Sequence, residues 1–104
     1  MMLDNDVISL KILVNKAPSG DDIYEELMLV LMLLLKKNIS YGDSALNPIG
    51  VFSSGTAVEQ IQVRIDDKLN RIMNQEGFED EDTIQDLIGY LILYKIARDR
   101  DGTN

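Results

Sequence analysis

Apolar positions recur at helical intervals along most of this chain. The exception in clarity is the first segment, residues 5–16. Leu3, Val7, Leu10 and Val14 form a helical stripe there, while Ile8, Leu10, Ile12 and Val14 alternate as a strand does. Asn5 ahead of the run and Pro18 just after it are helix punctuation, which favours a helix and leaves a strand as the alternative. "APSGDD" then reads as a turn into a second helix. Ser19 is placed to cap that helix, and Asp21, Asp22, Glu25 and Glu26 suit the positive end of its dipole. From Leu27 to Leu35 every position is apolar, so this helix is hydrophobic all round and is expected to be buried on every side. A short chain can meet that demand only by wrapping the helix with its other elements or by supplying a second subunit. Homo-oligomerisation is the expectation that follows. The cationic residues Lys36 and Lys37 and then Asn38 mark the helix end.

Two further helices follow a long interruption. Thr56 and Glu59 have capping-box spacing, and Val58, Ile61, Ile65, Leu69 and Ile72 hold a helical period behind them. The pattern breaks near Gly77. A fourth helix rises from "EDEDT" and carries Ile84, Leu87, Ile88, Leu91, Ile92, Tyr94 and Ile96 to about Arg98, with a polar tail over 99–104 that should fray. Gly89 in mid-helix costs about 1 kcal/mol relative to alanine, which a close helix–helix approach would explain. The pattern predicts an all-α protein: one small domain over 1–104, folded as a compact bundle of three to four helices, with one long loop between the second and third.

Composition narrows the chemistry. The 104 residues carry 45% hydrophobic side chains and a mean hydropathy of −0.06, which is a folded and not a disordered or membrane composition. Eighteen acids against ten bases give a net charge of −8, which argues against binding long nucleic acid. Without cysteine or histidine, thiol nucleophiles, thiolate metal sites, disulfides and imidazole acid–base catalysis are all excluded. The Leu27–Leu35 run is too short to span a bilayer, which takes roughly 20 residues, and acids precede it where a signal peptide has bases. A cytoplasmic location is the expectation by default.

Three groups of residues remain as candidate chemistry. Asp21, Asp22 and Glu25 form an acid-acid-x-x-acid pattern on one helix, and Asp82 and Asp86 lie one turn apart on another, with Glu81 beside them. Asp22, Glu25, Asp82 and Asp86 facing one another could hold Mg²⁺ and direct it at a phosphoanhydride. The plainer reading is that acids in first helical turns stabilise the helix dipole; Asp86, lying further in among apolar residues, is the exception. Arg64, Lys68 and Arg71 share a helix face that can grip phosphate, with Asp67 beside them to accept from a sugar hydroxyl, although a solvated face with intrahelical ion pairs explains them equally well. The third group is the segment "KKNISYGDSALNPIG", 36–50, extending to Gly55. Connectors between packed helices need about 2–8 residues. Tyr41 can stack on a base, Gly42 admits close backbone approach, and Asp43, Ser44 and Asn47 can read a base edge or ribose. Turn chemistry accounts for the Gly, Asn and Pro residues but not for the length.

The blocks "KNxxYGDSxxNPxxxFS", "VRIDDKLNRI" and "EDTxxDLIGYLIL", in that order between Lys37 and Ile96, resemble the bacteriophage and prophage proteins grouped as the nucleotide-modification-associated domain 1 family. The resemblance implies a phage accessory protein connected with nucleotides. It carries over Lys37, Asn38, Tyr41, Gly42, Asp43, Ser44, Asn47, Pro48, Arg64, Asp67, Lys68, Arg71, Glu81, Asp82, Asp86 and Tyr90. The pattern is also similar to that of MazG-type all-α nucleotide pyrophosphatases, whose acid-acid-x-x-acid helix and later E-x-x-D helix bind magnesium. Asp21, Asp22 and Glu25 match the first motif, but Thr83 stands three positions before Asp86, where the second requires an acid. The expected partner is therefore a small nucleotide, cyclic or linear, either held intact or cleaved with Mg²⁺; a protein-docking module using the Leu27–Leu35 surface is the third reading.

Overall fold

The computed structural model of the chain describes residues 4–74 and 82–102. Among them are four helices and no strand: α1 Asp4–Lys16, α2 Gly20–Ser40, α3 Ala57–Met73 and α4 Thr83–Arg100. The all-α expectation holds, and the first segment resolves to helix. The break near Gly77, and Glu81 in the acidic stretch, lie outside the described residues. So does Leu3.

Backbone contacts divide the chain into two compact units, Met1–Leu33 and Leu34–Asn104. In the first unit, α1 gives way to α2 through Ala17–Ser19. Ala17 N–H bonds to the Leu13 carbonyl, and Gly20 N–H bonds to that of Ala17 (3.0 Å). Gly20 is buried against the end of α1, where a Cβ would overlap the Val14 carbonyl oxygen. Only glycine allows α2 to begin this close to the preceding turn. Ser19 stands immediately before α2 and its carbonyl accepts from Ile23 N–H, the first bond of the new helix.

The apolar run of α2 departs from its expectation. Val30 is buried at 4% exposure, but Leu27, Leu29, Leu31, Met32 and Leu35 are all exposed, and α1 contributes no buried residue. Burial on every side requires elements on every side, and among the described residues these positions of α2 stay exposed.

The second unit is built on α3 and α4, which pack against each other. α3 begins with the expected capping box: Thr56 Oγ1 accepts from Glu59 N–H, and Glu59 Oε1 accepts from Thr56 N–H, both at 3.2 Å. Its apolar stripe puts Ile61 in the core at 2% exposure, with Val58, Ile65 and Ile72 half-buried and Leu69 exposed. Asp82 caps α4 by accepting from Gln85 N–H at 2.9 Å. Thr83 and Ala97 are buried in α4, whereas Ile84, Ile88, Leu91 and Ile92 are exposed. The end of α2 completes this unit. Gly89 is buried beneath Leu34, whose Cδ2 would lie 3.2 Å from a Cβ at that position. This is the close helix approach anticipated from the glycine.

α2 also runs two residues past Asn38, so Lys37 and Asn38 are helical and the connector proper begins at Tyr41. Up to Thr56 it is still far longer than a packed helix pair requires.

Candidate functional site

The connector opens on a braced turn. Gly42 and Asp43 adopt left-handed backbone angles in succession (φ 59° and 65°), which turns the chain off the end of α2. Asp43 stabilises the turn from its centre. Asn38 Nδ2 donates to Asp43 Oδ1 at 2.7 Å, and Asn47 Nδ2 donates to Oδ2 at 2.6 Å. The Asp43 carbonyl accepts from the N–H groups of Leu46 and Asn47, and its own N–H donates to the Asn38 carbonyl. Both carboxylate oxygens thus have amide donors from inside the segment. Aspartate tolerates the left-handed region better than most non-glycine residues, and the charge-assisted bonds offset the remaining strain. Three of the polar residues expected to read a ligand, Asn38, Asp43 and Asn47, are engaged in shaping the turn.

Tyr41 and Ser44 are not among the side chains that brace the turn. Tyr41 is 67% exposed, with its backbone N–H closing the last turn of α2 onto the Lys37 carbonyl at 2.9 Å. It therefore follows Lys37 by one helical turn, on the same side of the helix. Ser44 is exposed.

Asp86 is where the three sequence blocks meet. Lys68 Nζ of α3 lies 3.3 Å from Asp86 Oδ2 of α4, and Lys37 Nζ from the end of α2 lies 4.0 Å from Oδ1. The Asp86 and Lys68 side chains are only 15% and 12% exposed, while that of Lys37 is 48% exposed. A carboxylate this far from water needs partnered charge, and two ammonium groups supply it. Two cations thus converge on one carboxylate in a chain of net charge −8. Arg64 and Arg71, one turn to either side of Lys68 on α3, are exposed, as is Asp67.

The acid pairs take different roles. Asp82 is the cap of α4, and Asp86 is bound by lysines from neighbouring helices. Asp22 and Glu25 belong to the first turns of α2 and are exposed. Among the described residues no group of three or more acidic side chains is gathered in a way that could hold a metal ion. Nor is any described helix long and apolar enough to cross a membrane.

Sequence reasoning selected Lys37, Lys68 and Asp86 but assigned them to separate tasks, one to a loop, one to a phosphate-gripping face and one to a metal. Their pairing was foreshadowed by a single signal. Asp86 sits among Ile84, Leu87 and Ile88, where an acid demands a counter-ion.

No protein-family model matches this chain, and neither a curated protein nor a solved structure resembles it.

Proposed function

We propose that the protein holds a small nucleotide without converting it, gripping the ligand's phosphate with Lys37 and Lys68 and stacking its base on Tyr41. The observation carrying this reading is the convergence of two lysines from α2 and α3 on Asp86, one turn from an exposed tyrosine. Asp86 holds the ammonium groups in place while the ligand is absent. An arriving phosphate offers Lys37, the more exposed of the two, a second acceptor. Arg64 and Arg71 flank Lys68 and extend the cationic face. The braced turn around Asp43 fixes the direction in which Tyr41 leaves the helix. In keeping with the family resemblance, such a protein would serve a phage or prophage in the host cytoplasm by sequestering a modified or signalling nucleotide, cyclic ones included, as a counter to host immunity.

The alternative of a Mg²⁺-dependent pyrophosphatase draws its support from the acid motifs in the sequence. Engagement of Asp86 with lysines favours the holding function over it.

Purified protein incubated with a panel of nucleotides, cyclic dinucleotides included, with and without Mg²⁺, separates the two. Ligand recovered intact after heat release is the expected result, and its retention should fall about fivefold or more in Tyr41→Ala while thermal stability stays within about 1 °C. A stacked base contributes about 1–3 kcal/mol, enough for that loss. Appearance of a cleaved product that vanishes in Asp86→Asn would establish the enzyme instead. If no nucleotide is bound or converted, both readings fail.

A further inference from the structure

We infer that Phe52 is the second aromatic wall of the nucleotide site, carried on a strap, residues 48–54, that closes over a base stacked on Tyr41. The inference rests on the nucleotide reading above and adds to it how the base is enclosed. The strap is held at both ends. At one end Asn47 is folded back onto the braced turn, its Nδ2 donating to Asp43 Oδ2 at 2.6 Å and its N–H to the Asp43 carbonyl at 2.9 Å. At the other, Gln60 Nε2 donates to the Gly55 carbonyl at 2.7 Å, directly before the capping box at Thr56. Between these anchors, no backbone group of residues 48–54 bonds to another backbone group among the described residues. Every residue from Ile49 to Ser54 is exposed, and Phe52 entirely so, at 104%. Gly50 takes a left-handed angle (φ 69°) that bends the strap between Ile49 and Val51.

The chemistry of the strap matches a base beside a phosphate. From Ser44 to Val58 there is no charged residue, in a chain where 27% of residues are charged. Ile49, Val51 and Phe52 give it apolar area to bury and nothing that repels an anion. Such a segment can settle beside a ligand phosphate without stripping water from a charge of its own. Lys37 lies about 6 Å before Tyr41 along the helix, a distance that one nucleotide spans between phosphate and base. Tyr41 covers one face of a stacked base, and the other face stays in water until a second flat apolar group meets it. Phe52 is within reach of that face. Asn47 is bonded to Asp43, close after Tyr41, and the chain from Asn47 to Phe52 extends up to about 17 Å. A base between the two rings sets them about 7 Å apart, two van der Waals contacts. The braced turn fixes the start of the connector, so closure requires movement of the strap alone.

Limited chymotrypsin digestion of the full-length protein tests the strap, with ADP, cyclic di-AMP or inorganic phosphate added and equilibrium dialysis measuring how much of each nucleotide binds. Without ligand, the chain should be cut readily after Phe52, a site identified by fragment mass. Either nucleotide at saturation should slow that cut about fivefold or more, the shift that one stacked base supplies. Inorganic phosphate reaches the lysines but has no base, and should give no protection. Phe52→Ala should weaken nucleotide binding about fivefold or more, while Phe52→Tyr, which keeps a ring, should retain it. Neither variant should shift Tm, because the side chain is exposed. Bound nucleotide without protection at Phe52, protection by phosphate alone, or unchanged affinity in Phe52→Ala would overturn the strap and leave the Tyr41 site standing. Resistance of Phe52 to the protease without ligand would overturn it too, since the strap would then be packed on its own chain. If neither nucleotide binds, the strap has nothing to close on and the inference fails; failure of binding across the wider nucleotide panel would sink the proposed function with it.

Discussion

Replacing Asp86 by asparagine probes the cluster at the meeting point of the three helices. At 3.3 Å and an effective dielectric of about 20, the attraction between Asp86 and Lys68 is roughly 5 kcal/mol before desolvation is subtracted. Lys37, at 4.0 Å and half in water, adds about 1 kcal/mol. Taking a carboxylate and an ammonium mostly out of water consumes much of that gain, so the pair's net contribution is far smaller than its Coulomb energy. Asp86→Asn keeps the shape but leaves two ammonium groups facing a neutral amide. We expect a loss of about 2 kcal/mol, or ~8–12 °C in Tm for a chain of this length. The assay is thermal and urea unfolding followed by circular dichroism, at one fixed protein concentration because self-association would shift the midpoint. Lys68→Met keeps the apolar stem and removes the charge, and the double variant closes a thermodynamic cycle. The coupling between Asp86 and Lys68 should be about 1–2 kcal/mol and should change little between low and high salt, as screening barely reaches a buried pair. A coupling below about 0.5 kcal/mol, or one that salt abolishes, would place the pair among ordinary surface contacts and refute the reasoning.

Other substitutions test the frame that positions the cluster. Asp43→Ala removes the acceptor of two short amide bonds and should cost about 1–2 kcal/mol, read as a lower urea midpoint with an unchanged m-value. Gly20→Ala forces a Cβ onto the Val14 carbonyl and should destabilise by ~2 kcal/mol or more, detected as faster amide exchange through the end of α1 and the start of α2. Gly89→Leu overfills the contact with Leu34 and should lower stability by about 2–3 kcal/mol in the same unfolding assay. Gly89→Ala should stay within about 1 kcal/mol of the unmodified protein, since better helix propensity offsets a small shift of the Leu34 methyl. Thr56→Ala, which breaks the capping box, should cost about 1 kcal/mol by thermal unfolding.

Much of the fold was legible in the sequence because its determinants are local. The capping box at Thr56 and Glu59, the stripe through Ile61 and the glycine at 89 act through neighbours one turn away or through one steric requirement. Each appears in the structure as read. The ambiguous first segment is a helix, as Pro18 after it favoured, although Asn5 lies inside α1 and does not flank it. Local rules were weaker at the end of α2. The lysines and asparagine there suggested a stop, but the left-handed pair Gly42–Asp43, fastened by Asn38 and Asn47, carries the helix to Ser40.

What the sequence by itself determined is where helices form and which chemistries are absent, since these depend on periodicity, caps and residue types. Which charges meet was decided by tertiary structure alone. Asp86 could pair with acids through a metal or with bases directly, and spacing along one helix cannot choose between them. Packing brought Lys68 and the end of α2 to Asp86, and at such low exposure the carboxylate takes the cations within reach. The same holds for the apolar run of α2. Its sequence states that many surfaces need covering, while the three-dimensional arrangement buries Val30 and leaves Leu27, Leu29, Leu31, Met32 and Leu35 exposed.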